Sequence, residues 1–447
     1  MQERNIVVIG AGLTGLSTAF NLKQKGRDVL VLEKQHRIGG QINTYSQDGF
    51  TFESGPNTGV VSFPEVSELF EALGEHCKME TARESSKCRL IWKGKRFHAL
   101  PSGLVSAVTT PLFTMKDKFR ILGEPWRKPG NDPDESVGAL AQRRLGRSFF
   151  EYAVDPFLSG VYAGDPMKLC TRYALPKLYN LEVQYGSFVR GAIAKSKMPK
   201  TERDRLATKK VFSAVGGLQR LVEALAKDVD IVTGAEDIRV MPDGDGWWRV
   251  TFADEDIRCH HVVTTVGAYA LPELLPFIPQ EELAPISRLV YAPVIQVSVG
   301  IRDAGTHRMP AFGGLVPSKE AKQVLGILFP SECFEGRAPE GGALYSYFMG
   351  GARHADYLQK SDEEIRQMVL DAFHQMLKYP AAVEPDMIHI FRHERAIPQY
   401  YADSGERLQT VERLQQRYPG LILAGNLRDG IGMGNRIHQA AMIASEI

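Results

Sequence analysis

The chain opens on a change of hydrophobic period. Asn5–Ile9 (NIVVI) is a short apolar run of strand length. The residues after it space their apolar side chains at helical intervals, through Leu16, Ala19, Phe20 and Leu22. A second apolar stretch, Asp28–Leu32, ends on Glu33. The pattern predicts strand, helix, strand. Gly10-Ala11-Gly12-Leu13-Thr14-Gly15 fills the first junction: Gly10 gives the tight turn, Gly12 lets backbone approach a pyrophosphate, and Gly15 lets helix and strand pack closely. The helix N-terminus offers free N–H groups and the positive end of its dipole to phosphate. Glu33, 21 residues after Gly12, stands where a carboxylate accepts hydrogen bonds from a ribose diol; its charge repels a 2′-phosphate and argues against NADP.

Further along, Cys88–Trp92 and Arg96–Ala99 read as a hairpin around Lys93-Gly94-Lys95. From residue 100 to 190 the pattern is proline-punctuated and helical, as in Met115–Leu122 and Ser136–Leu145. Val215-Gly216-Gly217-Leu218 precedes an amphipathic helix carrying Leu218, Leu221, Val222 and Leu225 on one face. Strands are predicted at Asp230–Thr233, Arg249–Phe252 and Val262–Thr265, mixed elements over 266–415, a last buried strand at Leu421–Gly425, and a helix from about Arg436. The fold class is α/β (α+β overall). A discontinuous Rossmann-like nucleotide domain takes residues 1–84, 205–266 and 416–447. An α+β substrate domain takes 85–100 and 267–415, and an inserted helical domain takes 101–204.

At 447 residues, two or three domains are expected. The net charge of +1 gives no bulk field for nucleic acid. Five scattered cysteines without C-x-x-C read as reduced thiols of a cytosolic protein. No transmembrane stretch, no metal-ligand spacing and no nucleophile motif is visible, so a bound cofactor is expected to carry the chemistry. Arg190–Lys210 holds eight Lys/Arg against two acids and reads as a solvated surface or a patch for an anionic membrane.

The residues after Glu33 narrow the cofactor. Lys34, Arg37, Gly39 and Gly40, then Gly49-Phe50-Thr51-Phe52-Glu53-Ser54-Gly55-Pro56-Asn57-Thr58, resemble the FAD-containing amine oxidase and protoporphyrinogen oxidase superfamily; the second glycine pair suits the longer groove a flavin dinucleotide needs. Phe97–Gly103 (FHALPSG), Asp132–Val137 with Ala141–Gly146, Ser159–Asp165 (SGVYAGD), Phe312–Ser318 (FGGLVPS), Met349-Gly350-Gly351, Ile397–Tyr400 (IPQY) and Leu423–Asn426 with Gly430–Met433 are similar to blocks of the protoporphyrinogen oxidases, in the same order. Two departures stand out: Asp403-Ser404 where the family often has Gly-His, and Asn435-Arg436-Ile437 where it often has acid-Cys-Ile. The first is expected to touch the edge of the substrate pocket, the second the helix cap near the isoalloxazine.

The resemblance implies a cofactor, FAD, held by Gly10 to Gly15, Glu33, Lys34, Arg37, Gly39, Gly40, Gly55, Pro56, Asn57, Thr58, Asp237 (through its backbone), Asn426, Ile431, Gly432 and Met433. It implies a porphyrinogen substrate, with Arg89 on a propionate, Phe312, Leu315 and Phe348 against the macrocycle, and Gly160 approaching the ring. It implies six-electron oxidation of protoporphyrinogen IX with O2 as acceptor, on the cytoplasmic side of a membrane as a peripheral protein, with transient contact to ferrochelatase and a homodimer as the candidate assembly. Coproporphyrinogen III oxidation, an amine oxidase or desaturase, and a carrier like the GDP-dissociation inhibitors are the alternatives on the same architecture.

Overall fold

A computed structural model describes residues 2–447. Its first layer is a seven-stranded sheet in the order Asp230–Thr233, Val29–Glu33, Gln2–Ile9, Glu255–Thr264, Trp248–Phe252, Arg239–Pro242, with Leu421–Leu423 pairing the carboxyl half of Glu255–Thr264. Strands Asp230–Thr233, Val29–Glu33, Gln2–Ile9, Glu255–Thr264 and Leu421–Leu423 run parallel. Ile6–Ile9 and Val29–Leu32 are buried, as continuous apolar strands between two layers must be. Helix Leu13–Gln24 seals one face with Leu16, Ala19 and Leu22, and packs against the last helix, Met433–Glu446.

Three boundaries differ from the sequence reading. The strand placed at Val262–Thr265 begins at Glu255, because Glu255–His260 alternates polar and apolar as the antiparallel partner of Trp248–Phe252. Strand Arg239–Pro242 closes that meander and was not anticipated. The last helix starts at Met433 rather than Arg436: Gly432 is extended, and the first turn packs so tightly that a Cβ on Gly434 would lie 2.7 Å from the Val60 carbonyl oxygen.

The second layer is a seven-stranded sheet in the order Met387–Pro398, Tyr291–Ile301, Ala343–Gly350, Gly326–Leu328, Gly313–Leu315, Arg89–Lys93, Arg96–Ala99. Because side chains alternate across a sheet, its register sorts residues by face. Tyr345, Tyr347, Val297 and Ile327 pack with helix Asp362–Met376 on one face. The other face carries Arg89 level with Gly313, and Leu315 level with Gly326 and Phe348. Residues 101–206 fold as short helices over one end of that face, joined to it through Ile91, Leu112, Phe113 and Tyr152.

Candidate active site

The parallel strands deliver two helix N-termini to one edge of the first sheet. Helix Leu13–Gln24 starts after Gly12, and helix Met433–Glu446 after Gly432; neither N-terminus has a side-chain cap, so their first N–H groups are free for a ligand. Gly10 has φ +103°, and a Cβ on Gly15 would lie 1.9 Å from the Gly10 carbonyl oxygen. Gly12 is the opposite case: a Cβ there meets nothing within 4 Å. The turn is thus packed behind and open in front. Leu13 and Thr14 are buried behind it. Glu33 is fixed beside it, accepting from the N–H of Ala11 at 2.7 Å and of Gln35 at 2.8 Å.

Arg37 folds onto its own loop, donating to the carbonyls of Ile38, Gly40 and Ile42, and Gly40 rests on Gly12, where its Cβ would be 3.2 Å from the Gly12 Cα. The second glycine pair therefore extends the first. Lys34 and Asp237 are both exposed, and Asp237, with φ +52°, follows strand Asp230–Thr233 at the same edge.

Gly55–Thr58 lies between the two sheets. Asn57 Oδ1 accepts from Ser346 Oγ at 2.9 Å, and Asn57 Nδ2 donates to the Gly55 carbonyl. Gln296 Nε2 donates to the Glu53 carbonyl at 2.6 Å, and His393 Nε2 lies 2.6 Å from the Ser54 carbonyl. Neither Gln296, His393 nor Ser346 was singled out from the sequence; only sheet register brings them to this loop. Glu53 is buried and caps helix Gln219–Ala226 from outside, accepting from the Leu218 N–H at 2.9 Å and from Thr44 Oγ1 at 2.7 Å.

Burial pushes the Glu53 carboxyl up to about 7, against the pull of those two donors and of Arg337. A raised carboxyl binds its proton more tightly folded than unfolded, so its stabilisation is complete below the ordinary carboxylate range and is lost as pH rises through about 7. The thermal midpoint of the apoprotein is expected to fall from pH 5 to pH 8, and Glu53→Gln to flatten that slope; an unchanged slope in the variant would contradict it.

The closing turn runs from strand Leu421–Leu423 to the last helix. Asn426, Ile431 and Gly432 are partly or fully exposed along it, with Met433 buried beneath. Asn426 Oδ1 lies 3.4 Å from Tyr291 Oη, and the Gly430 N–H donates to Tyr400 Oη. Arg436 is buried inside the turn, donating to the carbonyls of Gly425 and Arg428 and to Gln439 Oε1. Its Nε has no partner among the described residues, and burial brings the guanidinium down to about 10. The departure at Asn435-Arg436-Ile437 is thus a staple on the turn's carbonyls rather than a cap. Asp403-Ser404 opens helix Ser404–Arg417, whose Arg407 donates to Ser404 Oγ and to the Leu427 carbonyl, so that departure supports the same turn instead of the substrate pocket.

The open face of the second sheet holds the other residues. Arg89 is exposed, with its guanidinium 5.6 Å from the centre of the Phe312 ring, and pairs with no carboxylate among the described residues. Leu315 packs on Gly160, where a Cβ would lie 2.5 Å from Leu315 Cδ2. Phe348 stands two strands away in the same row as Leu315, against Ala163 and Val294. The arrangement is an apolar slot with a cation at its mouth, next to the Glu53–Asn57 loop.

Residues 13–435 match the family model described as flavin containing amine oxidoreductase. The mitochondrial protoporphyrinogen oxidase of Nicotiana tabacum is 30% identical, over 97% of this chain and 92% of its own length; that of Homo sapiens is 28% identical, over 99% and 98%. A solved structure from Exiguobacterium sp. 255-15 superposes with a TM-score of 0.82 at 23% identity, covering 99% of this chain and 98% of the other, and so shares the fold. The chain belongs to the flavin-containing amine oxidoreductase family, as a relative of the protoporphyrinogen oxidases, and is an FAD-dependent oxidoreductase.

Proposed function

We propose that the protein oxidises protoporphyrinogen IX to protoporphyrin IX, with dioxygen as the electron acceptor. The observation that carries this reading is the slot: an apolar surface made by Gly160, Leu315 and Phe348, with Arg89 over Phe312 at its mouth, beside the loop that joins the two sheets. An amine or a polyene needs no cation there; a propionate does, and a guanidinium fork matches it bidentately.

FAD fits the first layer. The pyrophosphate would lie over Gly12, at the uncapped helix N-terminus, where a side chain is missing and nothing else fills the space. Glu33 would take the ribose, Gly39 and Gly40 the diphosphate side, and Gly55–Thr58 with Asn426–Met433 the flavin end. When bound, FAD supplies the acceptor for hydride removal from a meso carbon, three times per porphyrinogen. The chain's own part is to bind and orient. Arg89 fixes one edge of the substrate, and Leu315 and Phe348 hold the ring flat and dry. The uncapped N–H groups of the turn before Met433 would hold the end of the flavin that gains negative charge. Each hydride loss is balanced by loss of a pyrrole proton, and ring nitrogens exchange protons with water without a dedicated base.

We further propose that the helical segment rests on an anionic membrane surface. No helix among the described residues is long and apolar enough to cross a bilayer. Val105, Val108, Phe119, Leu122 and Trp126 are 62–79% exposed, and Lys118 and Arg127 tie their segments together through backbone carbonyls. Buried Glu124 accepts from Ser187, Phe188 and Val189, which places Trp126 beside the basic Arg190–Lys210 segment. Apolar tips ringed by lysine and arginine are the composition of an interfacial anchor. A planar, apolar product would then pass to the membrane or to a ferrochelatase. Phe119→Ser with Trp126→Ser is expected to abolish sedimentation with vesicles containing anionic lipid; neutralising Lys195, Lys197 and Lys200 is expected to weaken it. Undiminished sedimentation of both variants would contradict the proposal.

A further inference from the structure

Among the described residues, four arginines are less than a tenth exposed: Arg144, Arg337, Arg407 and Arg436. Arg144 is paired with Glu124 and Glu182, and Arg337 lies 3.6 Å from Glu80. Arg407 and Arg436 pair with no carboxylate among the described residues, and both hold the closing turn. Arg407 donates to the Leu427 carbonyl and to Ser404 Oγ; Arg436 donates to the carbonyls of Gly425 and Arg428 and to Gln439 Oε1.

The other charged and titratable groups at this turn do not cancel the two cations. Asp429 is half-exposed, accepts from Gln439 Nε2 at 2.6 Å and lies 3.5 Å from Arg428 Nε, which answers its charge. Asp403 is exposed. Tyr400 lies with its ring centre 5.3 Å from the Arg407 guanidinium, and its Oη accepts from the Gly430 N–H; burial raises that hydroxyl, so it stays neutral. Burial lowers both guanidiniums, Arg436 to about 10, and both remain charged at neutral pH. A buried cation is costly unless an anion answers it. Among the described residues, none does.

Arg436 lies in the first turn of helix Met433–Glu446, its Cα about 6 Å along the axis from Gly432. Helical side chains tilt toward the N-terminus, and the contacts with Gly425 and Arg428 carry this one back into the turn. The charge therefore sits next to the uncapped N–H groups that would hold the flavin end. We propose that Arg436, supported by Arg407, is the counter-charge for the negative charge that FAD gains when it accepts hydride, and so sets the flavin's reduction potential. The inference rests on FAD binding and not on the identity of the substrate. Arg436 stands where the related sequences often have cysteine, so the charge is a property of this chain. At the effective dielectric of a protein, a unit charge within about 10 Å shifts such an equilibrium about tenfold.

The test uses the FAD-loaded protein without substrate and reads its midpoint potential and its affinity for sulfite. Sulfite donates an electron pair to flavin N5, forming an S–N bond and leaving a negative charge on the N1–C2=O edge, with loss of flavin colour. Arg436→Gln is expected to weaken sulfite binding about tenfold and to lower the two-electron midpoint potential by about 30 mV, the same factor. Arg436→Lys, which keeps the charge without the fork, is expected within about threefold of the wild type. Asp429→Asn removes a half-exposed opposite charge, and asparagine tolerates the φ of +63° there. It is expected to tighten sulfite about threefold, less than the buried charge because solvent screens it, and it keeps the proposal testable if Arg436→Gln does not fold. Equal losses in Arg436→Gln and Arg436→Lys would make Arg436 a staple only and overturn the proposal. A potential and a sulfite affinity unmoved by Arg436→Gln, or by Asp429→Asn where the first variant does not fold, would overturn it too. Failure of the porphyrinogen reading is seen separately, since neither measurement uses a porphyrinogen.

Discussion

Gly12→Val is expected to abolish FAD binding and all activity while leaving a folded, colourless apoprotein. The three glycines of the first turn differ in what surrounds them. A side chain on Gly15 would collide with the backbone of Gly10, and one on Gly10 would meet Thr265 Oγ1 at 2.7 Å in a left-handed backbone conformation, so those substitutions disturb the strand–helix joint itself. Gly12 has φ −77° and free space in front of it. Valine is therefore tolerated by the protein and occupies the volume the pyrophosphate needs, at the N–H groups that would bind it. Flavin absorbance of the purified variant, before and after incubation with excess FAD, and the thermal midpoint of its apo form measure the two halves of the prediction. A yellow Gly12→Val protein would contradict the placement of the dinucleotide; a variant that does not fold would show that the space is structural.

Arg89→Met should raise KM for the porphyrinogen about 10- to 100-fold with kcat within about threefold. Arg89 has no carboxylate partner among the described residues, and its contact with the Phe312 ring leaves the donor fork open. A hydrogen-bonded ion pair to a substrate carboxylate contributes about 1.5–3 kcal/mol, which gives that range. The interaction is present before and during hydride removal alike, so it acts on binding. Arg89→Lys should recover only part of the affinity, since a point charge does not reproduce the fork. A kcat that falls with KM unchanged would instead place Arg89 near the reacting atoms.

What the sequence made legible follows the range of the interactions involved. The first strand, the glycine turn, the helix and Glu33 are local, and their hydrophobic period and spacing could be read directly. The Arg89 hairpin and the amphipathic helix after Gly217 were legible for the same reason. Arg89, Gly160, Leu315 and Phe348 are different: no period links residues that far apart, and only the resemblance grouped them. The structure brings Arg89, Leu315 and Phe348 onto one sheet face because strands Arg89–Lys93, Gly313–Leu315, Gly326–Leu328 and Ala343–Gly350 lie side by side in a fixed register, and helix Asp155–Tyr162 sets Gly160 against Leu315. Gln296, Ser346 and His393 escaped notice because a buried polar contact between two sheets leaves no pattern along either. The first half of strand Glu255–Thr264 was hidden by its polar alternation, and the cluster in which Asp155 accepts from Ser318 and Arg353 joins segments about 35 to 200 residues apart. Arg436 was visible as a departure, but its burial among carbonyls of the turn could only come from coordinates.

The most direct test of the account is anaerobic reduction of the FAD-loaded protein by protoporphyrinogen IX and coproporphyrinogen III in parallel, followed through the loss of flavin colour. Stoichiometric bleaching by a porphyrinogen, reversed on admitting oxygen and accompanied by porphyrin fluorescence, is the predicted result. A flavin that bleaches with dithionite but with neither porphyrinogen would contradict the central claim.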